Sequence, residues 1–167
     1  DAILVGAIAA AKYVRPPVEP RMTFDVDILL PEADFDAFLA DEIPAPTRTI
    51  LDALFEDSDS PMHSMKHRQT GIYVDFLSVQ SKPVKKKLIR HILNNPKQTT
   101  HLLQAGKRKI RIITPDILIA MKLCRYNKNP NSEKGLSDRL DLIKILKTLD
   151  VNCIAEDLSG VRSLLTR

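Results

Sequence analysis

The sequence predicts an α/β chain (α+β in its second half): a small mixed β-sheet flanked by helices, followed by a C-terminal helical region. Three observations carry this. Short apolar runs alternate with amphipathic stretches through residues 1–113, whereas residues 114–167 read as helices alone. The run Phe24-Asp25-Val26-Asp27-Ile28-Leu29-Leu30 holds two acids two residues apart inside an apolar strand pattern. The later run Ile72-Tyr73-Val74-Asp75-Phe76-Leu77 repeats that arrangement with one acid. The expected division is a core over 1–113 and a helical region over 114–167 packed on it.

Ile3-Leu4-Val5 reads as a short buried strand ending at Gly6, and the alanine-rich stretch Ala7 to Tyr13 as a helix begun immediately after it. Arg15-Pro16-Pro17 and Glu19-Pro20 stop that helix. The second strand spans about Met22 to Leu30, and on it Asp25 and Asp27 share one face while Val26, Ile28 and Leu30 are expected to face the core. Pro31 closes the strand and opens a helix from Glu32 to Leu39. Pro44 and Pro46 form a break, Thr49 to Phe55 fits either a helix or a strand, and Glu56 to Pro61 reads as a loop. Met65–Arg68 and Ile72–Val79 flank Gln69-Thr70-Gly71, the pattern of a hairpin that delivers Asp75 on its second strand. Lys85 to Leu93 reads as helix and Lys109 to Ile113 as a final short strand. Thr114-Pro115-Asp116 starts a helix running to about Tyr126, with Thr at the N-cap. Asn127 to Ser132 is a loop. Ser137 to Leu149 is an amphipathic helix expected to turn Leu140, Ile143, Leu146 and Leu149 inward, and Val151 to Leu165 is a last helical region.

With 44% hydrophobic and 28% charged residues, and no apolar stretch near the roughly 20 residues that cross a bilayer, a membrane-spanning helix is excluded. Cys124 and Cys153 lack CxxC spacing and read as buried thiols, which places the chain in the reducing cytoplasm; a disulfide between them is the lesser reading. Asp1 stands one residue before a strand, so the sequence is expected to start inside a longer natural chain. The net charge is +4, unevenly placed: ten Lys and Arg lie from Lys82 to Arg111 without an acid among them. That stretch is either an electrostatic footprint for a phosphate-rich partner such as RNA, or a solvated helix face and a charged loop.

Two carboxylates on one strand face repel, and a divalent cation relieves the repulsion. Phosphoryl and nucleotidyl transfer use two Mg²⁺ about 3.5 to 4 Å apart, bridged by shared oxygen ligands. Asp25 and Asp27 can supply the bridge, and Asp75 can add a ligand and act as base toward an incoming hydroxyl. Gly6-Ala7, at a strand-to-helix junction, offers backbone N–H donors and a helix dipole to a triphosphate. A plain DxD on an edge strand is the competing reading of the acids. His63 and His67 have the spacing of two zinc ligands on a helix but lack the accompanying Glu, which disfavours a Zn²⁺ site.

The runs Leu4-Val5-Gly6-Ala7-Ile8-Ala9, Arg21-Met22-Thr23-Phe24-Asp25-Val26-Asp27-Ile28-Leu29 and Gly71-Ile72-Tyr73-Val74-Asp75-Phe76-Leu77 resemble, in order, the nucleotidyltransferase superfamily with the polymerase-beta-like fold. The segment Thr114 to Leu123, followed by Asp138-Arg139-Leu140-Asp141-Leu142, is similar to the AbiEii-type branch, which includes toxins of bacterial toxin–antitoxin pairs. The resemblance implies Mg²⁺-dependent transfer of a nucleoside monophosphate from an NTP to an acceptor hydroxyl, with RNA, especially tRNA, favoured and protein or a small molecule as alternatives, and an antitoxin protein as partner. Asp25, Asp27 and Asp75 fall on its metal-binding and catalytic carboxylates. Gly6, Ala7, Thr23, Lys122 and Asp141 fall on nucleotide-binding positions, Arg21 and Thr23 having acceptor or phosphate contact or a structural role as alternatives. Ala7 stands where the superfamily usually has Ser, and Ser137 where the branch often has Lys or Arg. These departures motivate a second reading, a catalytically inactive module of the same fold that binds nucleotide, nucleic acid or a partner protein. A metal-dependent phosphohydrolase ranks third, since no HD pair or DxDx[TV] motif is present.

Overall fold

The computed structural model describes residues 2–58, 63–80 and 86–150. Seven strands form one mixed sheet: β1 (Ile3–Val5), β2 (Asp25–Leu29), β3 (Phe55–Asp57), β4 (Ser64–His67), β5 (Tyr73–Leu77), β6 (Thr100–Ala105) and β7 (Arg108–Ile113), in the order β3-β4-β5-β2-β1-β7-β6. The pairs β2–β5 and β1–β7 are parallel, and the remaining neighbours are antiparallel. The helices are α1 (Gly6–Tyr13), α2 (Glu32–Leu39), α3 (Ala45–Leu54), α4 (Lys86–Asn94), α5 (Pro96–Thr99), α6 (Pro115–Lys128) and α7 (Glu133–Leu146).

β2 is central, and both of its faces are covered. Register joins Ile3 to Leu29, Val5 to Asp27, Asp27 to Asp75 and Leu29 to Leu77, so these residues lie on one face of the sheet. That face carries the core. Ile3, Val5, Leu29 and Leu77 are buried in one cluster with Ala9 and Ala10 of α1, Leu88, Ile89 and Ile92 of α4, Ile117 to Met121 of α6, and Leu142 and Ile145 of α7. The opposite face holds half-buried Val26, Ile28 and Phe76, with Phe38 of α2 packing on Phe76 at 4.5 Å between ring centroids. The expectation that Val26, Ile28 and Leu30 face the main core is therefore corrected: Leu29 does, and the carboxylates lie on the core side. A central strand has two apolar faces, so alternation alone does not say which one is thicker.

Other boundaries also shift. Of Thr49–Phe55, all but Phe55, which opens β3, belongs to α3, which begins at Ala45 and takes Pro46 into its first turn, where a missing N–H costs nothing. Glu56 and Asp57 belong to β3 rather than a loop, held by pairing with Lys66 and Met65. The 69–71 turn is present, with Gly71 at φ +69°. The sequence reading missed α5 and β6, whose mixed polar–apolar pattern, Thr-His-Leu-Leu-Gln-Ala, suits an exposed edge strand. α6 continues through Lys128. Thr114 is its N-cap residue, but its Oγ1 is buried without a hydrogen-bond partner.

α7 starts at Glu133, capped by Ser132 Oγ, which accepts from Gly135 N at 3.0 Å. Its inward face is Asp138, Asp141, Leu142 and Ile145; Leu140 (50% exposed), Ile143 (41%) and Leu146 (38%) point outward, opposite to the expected facing. Half-buried Leu149 does pack against the core. Val151 to Leu165, with Cys153, lies outside the described residues, and Cys124 is half-buried on α6. Among the described residues no helix is long and apolar enough to cross a membrane.

Candidate active site

The three predicted carboxylates lie on the core face of the sheet, toward the end where β1 runs into α1. Asp27 on β2 and Asp75 on β5 are direct partners in the parallel ladder, and Asp25 lies two residues up the same face, opposite Tyr73. Neighbouring strands are about 4.8 Å apart, which puts the Asp27 and Asp75 carboxylates in one neighbourhood. Thr23 Oγ1 donates to Asp25 Oδ1. Among the described residues, no three Asp, Glu, His or Cys side chains meet at a common ligating point.

Gly6 explains how the chain turns beside these acids. Its φ of +73° breaks the strand and starts the helix, and a Cβ built there would lie 1.8 Å from Asp27 Oδ2. The Gly6 backbone thus rests directly against the carboxylate. Val5 gives α1 no side-chain cap. The first N–H groups of a helix lack intrahelical partners, so this end faces the acids as an anion-binding edge. Ala7 follows, buried and without a hydroxyl.

Lys122 and Asp141 take a different place from the open cavity. Lys122 is 3% exposed, and its Nζ donates to Asp141 Oδ2 at 2.7 Å and Asp138 Oδ1 at 3.2 Å. Arg125, one turn further along α6, holds fully buried Asp138 through two hydrogen bonds, Nη2 to Oδ1 at 2.5 Å and Nε to Oδ2. Arg21 reaches Asp141 from the segment before β2, Nε to Oδ1 at 3.4 Å. The result is a five-residue ion network joining the lead-in of β2 to α6 and α7. The hydrogen bond from Arg125 to Asp138 raises the guanidinium pKa; burial opposes this, and the charges of Asp138, Asp27 and Asp141 reinforce it. The network therefore abuts the site electrostatically through Asp27. Arg125 was absent from the sequence-predicted site; its i, i+3 spacing from Lys122, matched by Asp138 and Asp141 on α7, was the available signal.

A cavity of about 670 Å³ opens over the acids, lined by Arg21, Thr23, Asp25 and Asp75, by Glu56, Asp57, Ser64 and Lys66 of the β3–β4 wing, and by Met22, Phe24 and Tyr73 at its rim. The wing continues the same face. Asp25, Tyr73, Lys66 and Glu56 form one row across four strands, and Asp27, Asp75 and Ser64 form the next. Ser64 is 8% exposed, and its Oγ has no hydrogen-bond partner. None of these wing residues was singled out in the sequence.

The basic stretch does not gather here. Its residues 82–85 lie outside the described residues. Lys107, Arg108 and Lys109 sit at the β6–β7 turn; with β7 parallel to β1 and Ile3 level with Arg111, Arg108 is about 16 Å along the strands from the level of Asp27. His63 immediately precedes β4 and His67 ends it, so neither stands on a helix. His63 packs edge-on to Phe35 and His67 bonds Thr70, which removes the zinc-pair geometry.

No protein-family model matches the chain, and no curated protein does. Among solved structures, the chain is similar to the crystal structure of an antigenic nucleotidyltransferase-like protein from Paracoccidioides brasiliensis, at 17% identity and a TM-score of 0.57, covering 99% of this chain and 84% of that one. The mixed sheet with its helices thus has a nucleotidyltransferase-like fold.

Proposed function

We propose that the chain is a Mg²⁺-dependent nucleotidyltransferase that moves a nucleoside monophosphate from an NTP to an acceptor hydroxyl. The observation that carries it is the pairing of Asp27 with Asp75 on one sheet face, with the Gly6 backbone pressed against Asp27 at the start of α1. The donor set fits the metal: carboxylate oxygens are the hard ligands Mg²⁺ takes. The missing side chain at Gly6 lets the chain pass directly against the Asp27 carboxylate, where a Cβ would meet Oδ2 at 1.8 Å. Asp25, Asp27 and Asp75 would hold the ions, which when bound neutralise the triphosphate and stabilise the leaving group.

The protein's own groups divide the remaining work. The N-terminal end of α1, with its positive dipole end beside Asp27, would meet triphosphate oxygens. Asp75, which faces the cavity, takes the proton of the acceptor hydroxyl. The acceptor oxygen bonds to the α-phosphorus as the bond to the bridging oxygen breaks, and pyrophosphate leaves with the electron pair. Lys122 and Arg125 hold Asp138 and Asp141 and so fix α6 against α7. The AbiEii-type toxin role, with an antitoxin as partner and tRNA as acceptor, is the finer form of this reading, supported by the sequence resemblance alone.

The inactive module is the second reading. Its support is that Ala7 lacks a hydroxyl, the Lys122 amine is occupied by two aspartates, and the acids do not converge on one point. Incubation with Mg²⁺, each α-labelled NTP and a total tRNA pool, beside an Asp25→Asn/Asp27→Asn variant of verified fold, separates the two. Label transferred by wild type alone supports the enzyme. NTP binding that is metal-independent and unaffected by the substitutions supports the module.

A further inference from the structure

We infer that the open edge of β6 is a docking site for an extended, acidic peptide segment of a partner protein, which joins the sheet as a further strand. The inference goes beyond the transferase reading and uses none of its residues. β6 is the last strand of the sheet and is bonded to β7 alone. Thr114 N donates to Thr99 O at 2.9 Å, and stepping along the antiparallel ladder in twos makes His101, Leu103 and Ala105 the residues that exchange bonds with β7. The N–H and C=O groups of Leu102 and Gln104 therefore point to the outer edge.

That edge lacks the devices that blunt an exposed strand. The opposite edge of the sheet, β3, is three residues long and carries Glu56 and Asp57. β6 is six residues, Thr-His-Leu-Leu-Gln-Ala, without Lys, Arg, Asp, Glu or Pro. Leu102 stands on it 60% exposed. β1 supports β7 only at Arg111 and Ile112, so from Leu103 and Ile110 outward the hairpin is a ribbon of two strands. Two strands alone are marginal in water, and a third strand strengthens them.

Charge names the occupant. The ribbon's turn carries Lys107, Arg108 and Lys109, all exposed and in no ion pair among the described residues, and exposed Lys97 of α5 lies just before the other end of β6. A strand with an apolar centre and acidic ends would set its acids against these cations and its apolar side chains beside Leu102. A second copy of this chain would bring a ribbon of like charge. An RNA strand would engage the cations but offers no ladder to the alternating donors and acceptors of the edge.

The test adds the synthetic peptide acetyl-Asp-Glu-Val-Thr-Val-Thr-Glu-Asp-amide to the full chain. Saturable binding is expected, with amide hydrogen exchange at Leu102 and Gln104 slowed about tenfold or more. The same peptide N-methylated at both valines and both threonines keeps its charge but loses its central donors, and should bind at least about tenfold more weakly to the unaltered protein. Lys107→Gln/Lys109→Gln should weaken the parent peptide about tenfold. Leu102→Pro removes an outward N–H without touching a bond to β7 and should abolish binding. Equal binding of the N-methylated peptide, binding that leaves Leu102 and Gln104 exchange unchanged, or no binding of the parent peptide would overturn the inference. So would slowed exchange at the edge on raising protein concentration without peptide, the signature of a second copy, or single-stranded RNA binding where the peptide does not.

Discussion

Replacing Gly6 by Ala perturbs two things at once, and the structure gives a size to each. The backbone sits at φ +73°, where an L side chain costs about 1 to 2 kcal/mol. The added Cβ would lie 1.8 Å from Asp27 Oδ2, 2.6 Å from its Cγ and 2.9 Å from its Cβ. To regain ordinary van der Waals separation the carboxylate must retreat by roughly 1.5 Å. Summed with the backbone strain, a loss of about 3 kcal/mol is expected, or roughly 6 to 12 °C in Tm for a domain of this size. Moving a catalytic carboxylate by more than an ångström should lower label transfer by about a hundredfold or more. A double-mutant cycle isolates the contact. In an Asp27→Gly background the three clashing atoms are gone, so Gly6→Ala should then cost only the backbone part, leaving a coupling of about 1 to 2 kcal/mol. Chemical denaturation of the four proteins measures it. Additive costs, or a Gly6→Ala protein with wild-type stability and transfer, would refute the placement of Gly6 against Asp27.

Three further outcomes follow from the same structure. Lys122→Met removes the buried cation that Asp138 and Asp141 share, leaving them to Arg125 and Arg21 alone, and should cost about 3 kcal/mol in urea unfolding. Leu142→Ala, on the buried face of α7, should cost about 2 to 4 kcal/mol, whereas exposed Leu140→Lys should stay within about 0.5 kcal/mol; the reverse ranking would contradict the assigned facing. Tyr13, whose hydroxyl donates to Ile113 O at 2.5 Å, has its pKa raised to about 12, first by burial and then by the negative charge of Asp116. The unfolded chain releases this proton near the ordinary value of 10 and the folded chain near 12, so the contribution is fully present below pH 10 and is lost between pH 10 and 12. Discounted for its half-buried position, the loss is about 1 kcal/mol relative to a Tyr13→Phe variant, read from paired denaturation curves across that window.

The sheet, the order of its first elements and the common face of Asp25 and Asp27 were legible because strand alternation is a local property. A side chain two residues along returns to the same face whatever the rest of the chain does. Which face carries the main core was not legible, since β2 is covered on both sides and depends on where distant α6 and α7 land. The helix α7 shows the same limit more sharply. Hydrophobicity placed Leu140, Ile143 and Leu146 inward, but the face that packs carries Asp138 and Asp141, because Lys122 and Arg125 of α6 wait there to pair with them. A buried ion network inverts the amphipathic signal, and its partners on α6 and α7 are 13 to 19 residues apart in sequence. The β3–β4 wing escaped for another reason. Glu56, Asp57 and Ser64 form a wall only through cross-strand pairing, which composition reads as a polar loop.

The central claim is that the Asp25, Asp27 and Asp75 face carries out nucleotidyl transfer, and the products of NTP turnover test it most directly. With Mg²⁺, an NTP and an acceptor, the account predicts inorganic pyrophosphate released one-to-one with label attached to the acceptor, and neither product from the Asp25→Asn/Asp27→Asn variant of verified fold. Orthophosphate in place of pyrophosphate, or turnover that persists in that variant, would contradict it.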